Sequence, residues 1–426
     1  MRDPSGDEQE PRHVTARWNG RGWSRRQALA SIASAGTVGL AGCSLPSVPS
    51  GVEPRWERDF DAASTAGPPA ATDTHVVVGG QDKRLHGFTA DGERLFGVET
   101  GGPIELRPAV PASGGPVHVH STDGDLYTVG LSGEVLWHED GQSQDGWLGR
   151  HGSLLVGVDS DTESIVGYDA QTGSRRFRQP GPEYPFPTLS DTACIVGVTS
   201  PDGGRKLVTL APSTGDLLWE TPSRDGYPYV VAVGDQIVTA HNSTVRLRRA
   251  RDGHVVWRTE VAGEVYSYFG SPIWLAEHVY VQAGRDDRPD ELVAIDTDGG
   301  TVQWRRTGGY ELETVTATAE GVFVASSVDE PDGGIVIRLD AFSHDGTRRW
   351  QTTTDIAIGG TVAALERVGE VLVVASDNEL AAYDPGTGTR RWRYDPESSR
   401  VGVAATDNRL YASLRDSGGL VRLPTS

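Results

Sequence analysis

Lysine is almost missing from this chain: Lys83 and Lys206 are the only two in 426 residues, against 37 arginines. Cysteine is as scarce, at Cys43 and Cys194, and the single methionine is Met1. Two thiols exclude a disulfide-rich scaffold and a four-cysteine zinc site. Basic residues are outnumbered by acidic ones, 39 to 59, and residues 43–426 keep 55 acidic against 33 basic. Phosphate must be met by concentrated positive charge, so this balance argues against nucleic acid and anionic lipid as partners. No Gly-x-Ser-x-Gly, His-Glu-x-x-His or Cys-x-x-Cys occurs, which removes the usual signatures of nucleophilic, zinc-peptidase and dithiol chemistry.

What the chain does have is a beat. A glycine followed four residues later by an aromatic recurs at Gly92–Phe96, Gly133–Trp137, Gly173–Phe177, Gly215–Trp219, Gly253–Trp257, Gly300–Trp304, Gly346–Trp350 and Gly388–Trp392. Successive aromatics are 41, 40, 42, 38, 47, 46 and 42 residues apart. A fixed period of this size means one small unit repeated and stacked, since no single unit can bury its own apolar face. Within one unit, Val117–His120, Leu126–Val129 and Val135–His138 are short β-rich runs split by Asp123-Gly124-Asp125 and Ser132-Gly133, a meander pattern. An apolar segment around Pro108–Pro111 is expected to add a fourth, innermost strand. Four strands per ~40–45 residues, repeated radially, describe the blades of an all-β propeller. The aromatic then falls on each outer strand, where it is expected to wedge between blades.

Trp56 begins an outer strand with no partners before it, while Val401–Ala405, Arg409–Leu414 and Gly419–Leu423 make three strands with no fourth. Joining the two chain ends builds one more blade and closes the ring. The strict count is nine sectors. The reading here is eight blades, with nine left open, because the 38- and 47-residue steps are irregular.

Tyr168-Asp169-Ala170-Gln171-Thr172-Gly173 ahead of Phe177, and Tyr383-Asp384-Pro385-Gly386-Thr387-Gly388 ahead of Trp392, resemble the PQQ-type propeller repeat A-x-D-x-x-T-G-x-x-x-W. The resemblance runs from about residue 54 to the end, and extends to the BamB-type lipoproteins of outer-membrane assembly, which are eight-bladed. It implies a propeller and a binding role. It also raises a quinoprotein dehydrogenase using pyrroloquinoline quinone (PQQ) and calcium. Those enzymes usually add a vicinal Cys-Cys pair and a Glu/Asn/Asp ligand set. This sequence has no Cys-Cys, so no cofactor and no metal are expected.

The first fifty residues read as an address. Arg25 and Arg26 lie in Ser24-Arg25-Arg26-Gln27-Ala28-Leu29, a twin-arginine form, ahead of an apolar run from Ala28 to Leu40 that is short for a membrane span. Leu40-Ala41-Gly42-Cys43 resembles the lipobox of exported lipoproteins, which implies lipidation at Cys43. Residues 1–42 are thus assigned to a signal peptide, 43–54 to a flexible Ser/Pro tether and 55–426 to a single propeller. The expected location is the outer side of a cell membrane. Acid excess with almost no lysine also resembles proteins of extreme halophiles, where salt screens self-repulsion.

Candidate polar sites are few. His118 and His120 share one strand face at a spacing that suits a metal, but no third ligand is suggested, and an exposed or half-buried pair is expected. Asp123/Asp125, Asp159/Asp161 and the Asp286–Asp290 segment have calcium-type oxygen donors, yet sit where turns want aspartate. Arg246, Arg248, Arg249 and Arg251 read as a solvated face, and Cys194 as an inert core thiol.

One constellation remains. Connections from an outer strand to the next inner strand all open on one propeller face, and five consecutive ones carry aromatics: Trp147; Tyr184 and Phe186; Tyr227 and Tyr229; Tyr266, Tyr268 and Phe269; Tyr310. Pro180, Pro182, Pro185, Pro187 and Pro228 stiffen two of them. Stacking of the blades would gather these side chains into an arc suited to a partner peptide or small ligand; packing between blades is the alternative. The expected function is a non-catalytic, monomeric, lipid-anchored scaffold. A PQQ-dependent dehydrogenase and a carbohydrate- or polymer-binding sensor are its rivals.

Overall fold

Short β-prone runs separated by glycine and aspartate turns fold here into nine antiparallel sheets. The computed structural model describes residues 51–59, 67–111, 114–141, 148–159, 162, 164–180, 187–199, 204–223, 229–265, 272–285, 288–307, 311–329, 335–357, 362–376, 379–396, 401–414 and 418–426. In chain order, blades 1 to 8 occupy residues 70–99, 117–139, 149–180, 188–223, 229–260, 264–307, 311–357 and 362–394. Blade 9 joins Val401–Thr406, Arg409–Leu414 and Gly419–Leu423 to Trp56–Asp59, which pairs antiparallel with Gly419–Leu423 through Trp56↔Arg422. The ring is therefore closed by the two chain ends, as the unpaired terminal strands predicted.

The blade count is nine, so the reading of eight gives way to the alternative it left open. Both irregular steps belong to complete blades. Blade 5, at the 38-residue step, keeps four strands by using a tight turn at Asn242-Ser243. The 47-residue step leads into blade 6, which carries an additional short strand and a longer hairpin. Blade 2 is the deviant: its innermost segment makes only the bridge Ala109↔His118 rather than a strand. Pro108 and Pro111 flank that bridge and have no N–H to extend a ladder.

The core is divided rather than central. Nine apolar clusters occur among the described residues, one at each blade interface. The closing interface is among them, where Val76, Val78 and Phe88 of blade 1 meet Tyr411 and Leu420 of blade 9. First strands of neighbouring blades touch one another: 311–318 with 362–368, 362–368 with 401–406, and 401–406 with 70–71. They line the axis, and the aromatic strands form the rim.

Each beat has the same local cause. In each of blades 1–8 the last two strands slip register beside the aromatic, as between Gly87 and Phe88 opposite Phe96 or between Ala382 and Tyr383 opposite Trp392, and blade 7 slips a second time between Val336 and Arg338. The bulge twists the outer strand and turns its aromatic toward the next blade. There it meets that blade's beat glycine: Trp56 lies on Gly92, Phe96 on Gly133, Trp137 on Gly173, and so on to Trp350 on Gly388. Those glycines hold φ between 67° and 92°, a region that disfavours any Cβ. The indole N–H completes the contact by donating to a carbonyl of the same turn, as in Trp257 Nε1 to Thr297 O at 2.7 Å and Trp304 Nε1 to His344 O at 2.7 Å. The Trp residues are blade glue, as expected.

Candidate binding face

Strand direction alternates within each blade, so the beat turns emerge on one face and the blade-to-blade connections on the other. The D-x-x-T-G part of the repeat builds the first face. Asp169 Oδ1 accepts from the N–H groups of Gln171 (3.1 Å) and Thr172 (2.9 Å), and Oδ2 pairs with Arg176 at 2.6 Å. The Arg176 contact, followed by the turn amides, holds this carboxyl down to about 2. Asp384 repeats the arrangement with Gly386, Thr387 and Arg391. The motif's polar residues thus close a turn, and are spent in doing so.

On the connection face, Tyr229 is the one arc residue within the described set. It opens the first strand of blade 5, pairs with Ala240, and lies half-buried against the cluster that joins blades 5 and 6. Its side chain is thus partly packed and partly open. Trp147, Tyr184, Phe186, Tyr227, Tyr266, Tyr268, Phe269 and Tyr310 lie outside the described residues, as do Arg25, Arg26 and Cys43.

Near the axis on this face, Arg107 leaves the blade 1–2 connection and donates through Nη2 to Val403 O at 2.6 Å, on the first strand of blade 9. Glu366, on the first strand of blade 8, has its pKa pushed up by burial, with the Arg107 charge pulling the other way. Gln81 Nε2 donates to Glu105 Oε1 at 2.6 Å. No sequence signal marks Arg107 or Glu366, since neither lies in a repeat motif; only ring closure brings them together.

The polar clusters resolve into structural roles. His118 and His120 are both buried, not exposed or half-exposed, because both faces of a blade strand pack against neighbours. His118 Nδ1 is 2.7 Å from Thr128 Oγ1, and burial, then Arg150, lower its pKa to about 3. Asp123 Oδ1 accepts the Asp125 N–H at 3.1 Å, a turn function. Asp159 accepts from Thr162 N at 3.1 Å and pairs with Arg178 at 2.8 Å, while Asp161, Asp286 and Asp287 lie outside the described residues. Asp290 accepts the Leu312 N–H at 2.9 Å. Arg249 pairs with Asp252 at 3.0 Å, whereas Arg248 lies over the Trp219 ring at 5.8 Å, so only part of the arginine cluster answers acid. Cys194 is buried in blade 4 with its thiol pushed up to about 12.

Among the described residues, Asp125, His138 and Asp140 bring donor atoms within 4.8 Å of one another. They sit at the edge of blade 2. His138 Nε2 is 3.1 Å from Asp125 and 3.2 Å from Asp140, and its ring stacks on Tyr127 at 4.4 Å. This donor set does not fit a quinone–calcium centre: it lies away from the axis, its members are hydrogen-bonded to one another, and the chain has no Cys-Cys pair to cover a cofactor.

Fold and repeat define a PQQ-repeat β-propeller of nine blades. The chain belongs to the family described as outer membrane protein assembly factor BamB, whose model matches residues 49–157 and 223–423. The stretch between the matched parts covers the outer half of blade 3 and nearly all of blade 4. Among solved structures, it is similar to BamB from Moraxella catarrhalis at 16% identity and TM-score 0.51, covering 74% of this chain and 95% of that one. It is also similar to Sqt1 of Saccharomyces cerevisiae (12% identity, TM-score 0.50, 87% and 98% covered). A third is the C-terminal WD40 domain of Sif2 (10% identity, TM-score 0.52, 88% and 98% covered). At these identities the likeness is one of fold. Among curated proteins no sequence matches.

Proposed function

We propose that this protein is a non-catalytic scaffold, exported and lipid-anchored through Cys43, that holds a protein or small ligand on its connection face. The observation that supports it is a division of labour along the chain. The beat aromatics and the D-x-x-T-G aspartates are consumed by blade contacts and turns. The second set of aromatics is concentrated in the connections around blades 2–6, with Phe60 after blade 9 the exception, and Tyr229, the member within the described residues, opens the first strand of blade 5. Membership of a family named for an assembly factor agrees with a binding role. The partner is one that presents apolar or aromatic groups to a ring of tyrosines, rather than a polyanion.

Titration with pyrroloquinoline quinone and calcium, followed by absorbance, tests this against the dehydrogenase reading. The scaffold account expects no saturable spectral change; tight saturable binding would overturn it.

A further inference from the structure

The chain leading into the ring is held to it. Val52 N–H donates to Arg393 O at 3.0 Å, on the outer strand of blade 8, and the Val52 side chain packs on the cluster containing Trp392. Three residues on, Arg55 N–H donates to Arg422 O at 2.7 Å, and Trp56–Asp59 then completes blade 9. The acids of this segment, Glu57 and Glu53, add to burial in holding the Tyr394 hydroxyl up to about 12, which places them over the same rim.

This docking shortens whatever precedes it. From Cys43 to Gly51 there are eight Cα–Cα steps, which span at most ~28 Å when fully extended. A folded domain of this length has a radius of gyration of ~21 Å and measures ~50 Å across. The tether is therefore shorter than the domain is wide. It also leaves from the rim, beside Arg393 on the outer strand of blade 8.

We infer that the seam between blades 8 and 9 is the membrane-proximal edge of the molecule, with the rim of blades 3–5 held away from the lipid. This rests on the reading of Cys43 as the anchored residue. Blade 4 is four positions from blade 8, as far round a nine-membered ring as a blade can lie. Blades 2–6, which the aromatic-bearing connections follow in sequence, occupy the side of the ring away from that seam, so a partner reaches this side without passing between propeller and membrane.

Energy transfer to acceptor-labelled lipid tests the orientation in membranes of producing cells. Arg391→Cys on blade 8 and Leu217→Cys on blade 4 put a thiol on equivalent exposed outer strands. Cys43 is capped when lipidated and Cys194 is buried, so only the introduced thiol takes the donor dye. The expected result is ~3-fold more transfer from position 391 than from 217, since a rim-down domain separates their heights by nearly its width. Equal transfer, or more from 217, overturns the inference. A second pair, Arg349→Cys and Val256→Cys, repeats the comparison if either first variant fails to fold. Cys43→Ser separates the two levels: it should release the protein from membranes. Membrane attachment that survives Cys43→Ser sinks the anchor reading and this inference with it, whereas Cys43-dependent attachment with equal transfer sinks the inference alone.

Discussion

Gly300 of blade 6 sits against the indole of Trp257 of blade 5: a Cβ at Gly300 would lie 2.6 Å from Trp257 Cδ2, and the same ring donates its N–H to Thr297 O. Glycine and aromatic, four residues apart within one repeat, serve two different interfaces. The glycine receives the preceding blade's ring while its own aromatic is passed to the next. The period in the sequence is thus a chain of contacts running around the propeller.

Gly300→Ala should cost at least ~3 kcal/mol, combining the penalty at positive φ with overpacking against the indole. Gly234 also has positive φ (58°), but nothing lies within 4 Å of its missing Cβ. Gly234→Ala should cost only ~1–2 kcal/mol. Denaturant midpoints of the two variants check this; equal losses would remove the packing role.

The indole N–H can be tested apart from the ring. Trp304→Phe removes the bond to His344 O and should cost ~1 kcal/mol beyond the loss of area. Trp392 Nε1 finds no acceptor among the described residues. In blade 9 the turn that would supply one is replaced by the meeting of the two chain ends. Trp392→Phe should therefore be the milder of the pair in thermal melts, and a larger loss there would contradict the latch.

His118 predicts acid sensitivity. Its pKa falls from 6.5 to about 3 on folding, so between those values the unfolded chain binds a proton that the folded one refuses. Stability is fully present above pH 6.5 and declines as pH falls toward 3, by up to about 1.4 kcal/mol per pH unit from this group. His86, also lowered by burial, acts in the same direction. His118→Gln should flatten the pH dependence of the melting temperature over this window; an unchanged slope would show that His118 does not carry it.

Asp169 acts lower on the scale. Its folded carboxyl is held to about 2, so its stabilisation is present above about pH 3.8 and lost as pH falls through 2. Asp169→Ala should cost ~1 kcal/mol at neutral pH, with its turn amides left to water. The loss should vanish near pH 2, and a pH-independent loss would point to another cause.

How much of this was legible depended on range. The beat, the Asp-capped turns and the split closing blade could be read because each is set by residues close in sequence or by an unpaired strand. The blade count was legible too, since eight beats plus the split blade make nine; the irregular 38- and 47-residue steps pulled the reading to eight, because spacing alone does not show that a short or long repeat still forms a whole blade. His118 and His120 were misread for a related reason: alternation along a strand signals an exposed face only where one side of the sheet meets water. Blade 2 has neighbours on both sides. Arg107 reaching Val403 depends on bringing together residues 296 apart in sequence, and no local pattern encodes that.

The claim on which the rest depends is that function resides in the connection aromatics and not in the repeat. Capture of partners from host membranes, comparing the intact protein with a Tyr229→Ala, Tyr268→Ala double variant, tests it most directly. The account predicts that the variant still folds, with a lower melting temperature from the lost packing of Tyr229, and loses the captured partner. A partner retained at wild-type level on the folded variant would contradict it.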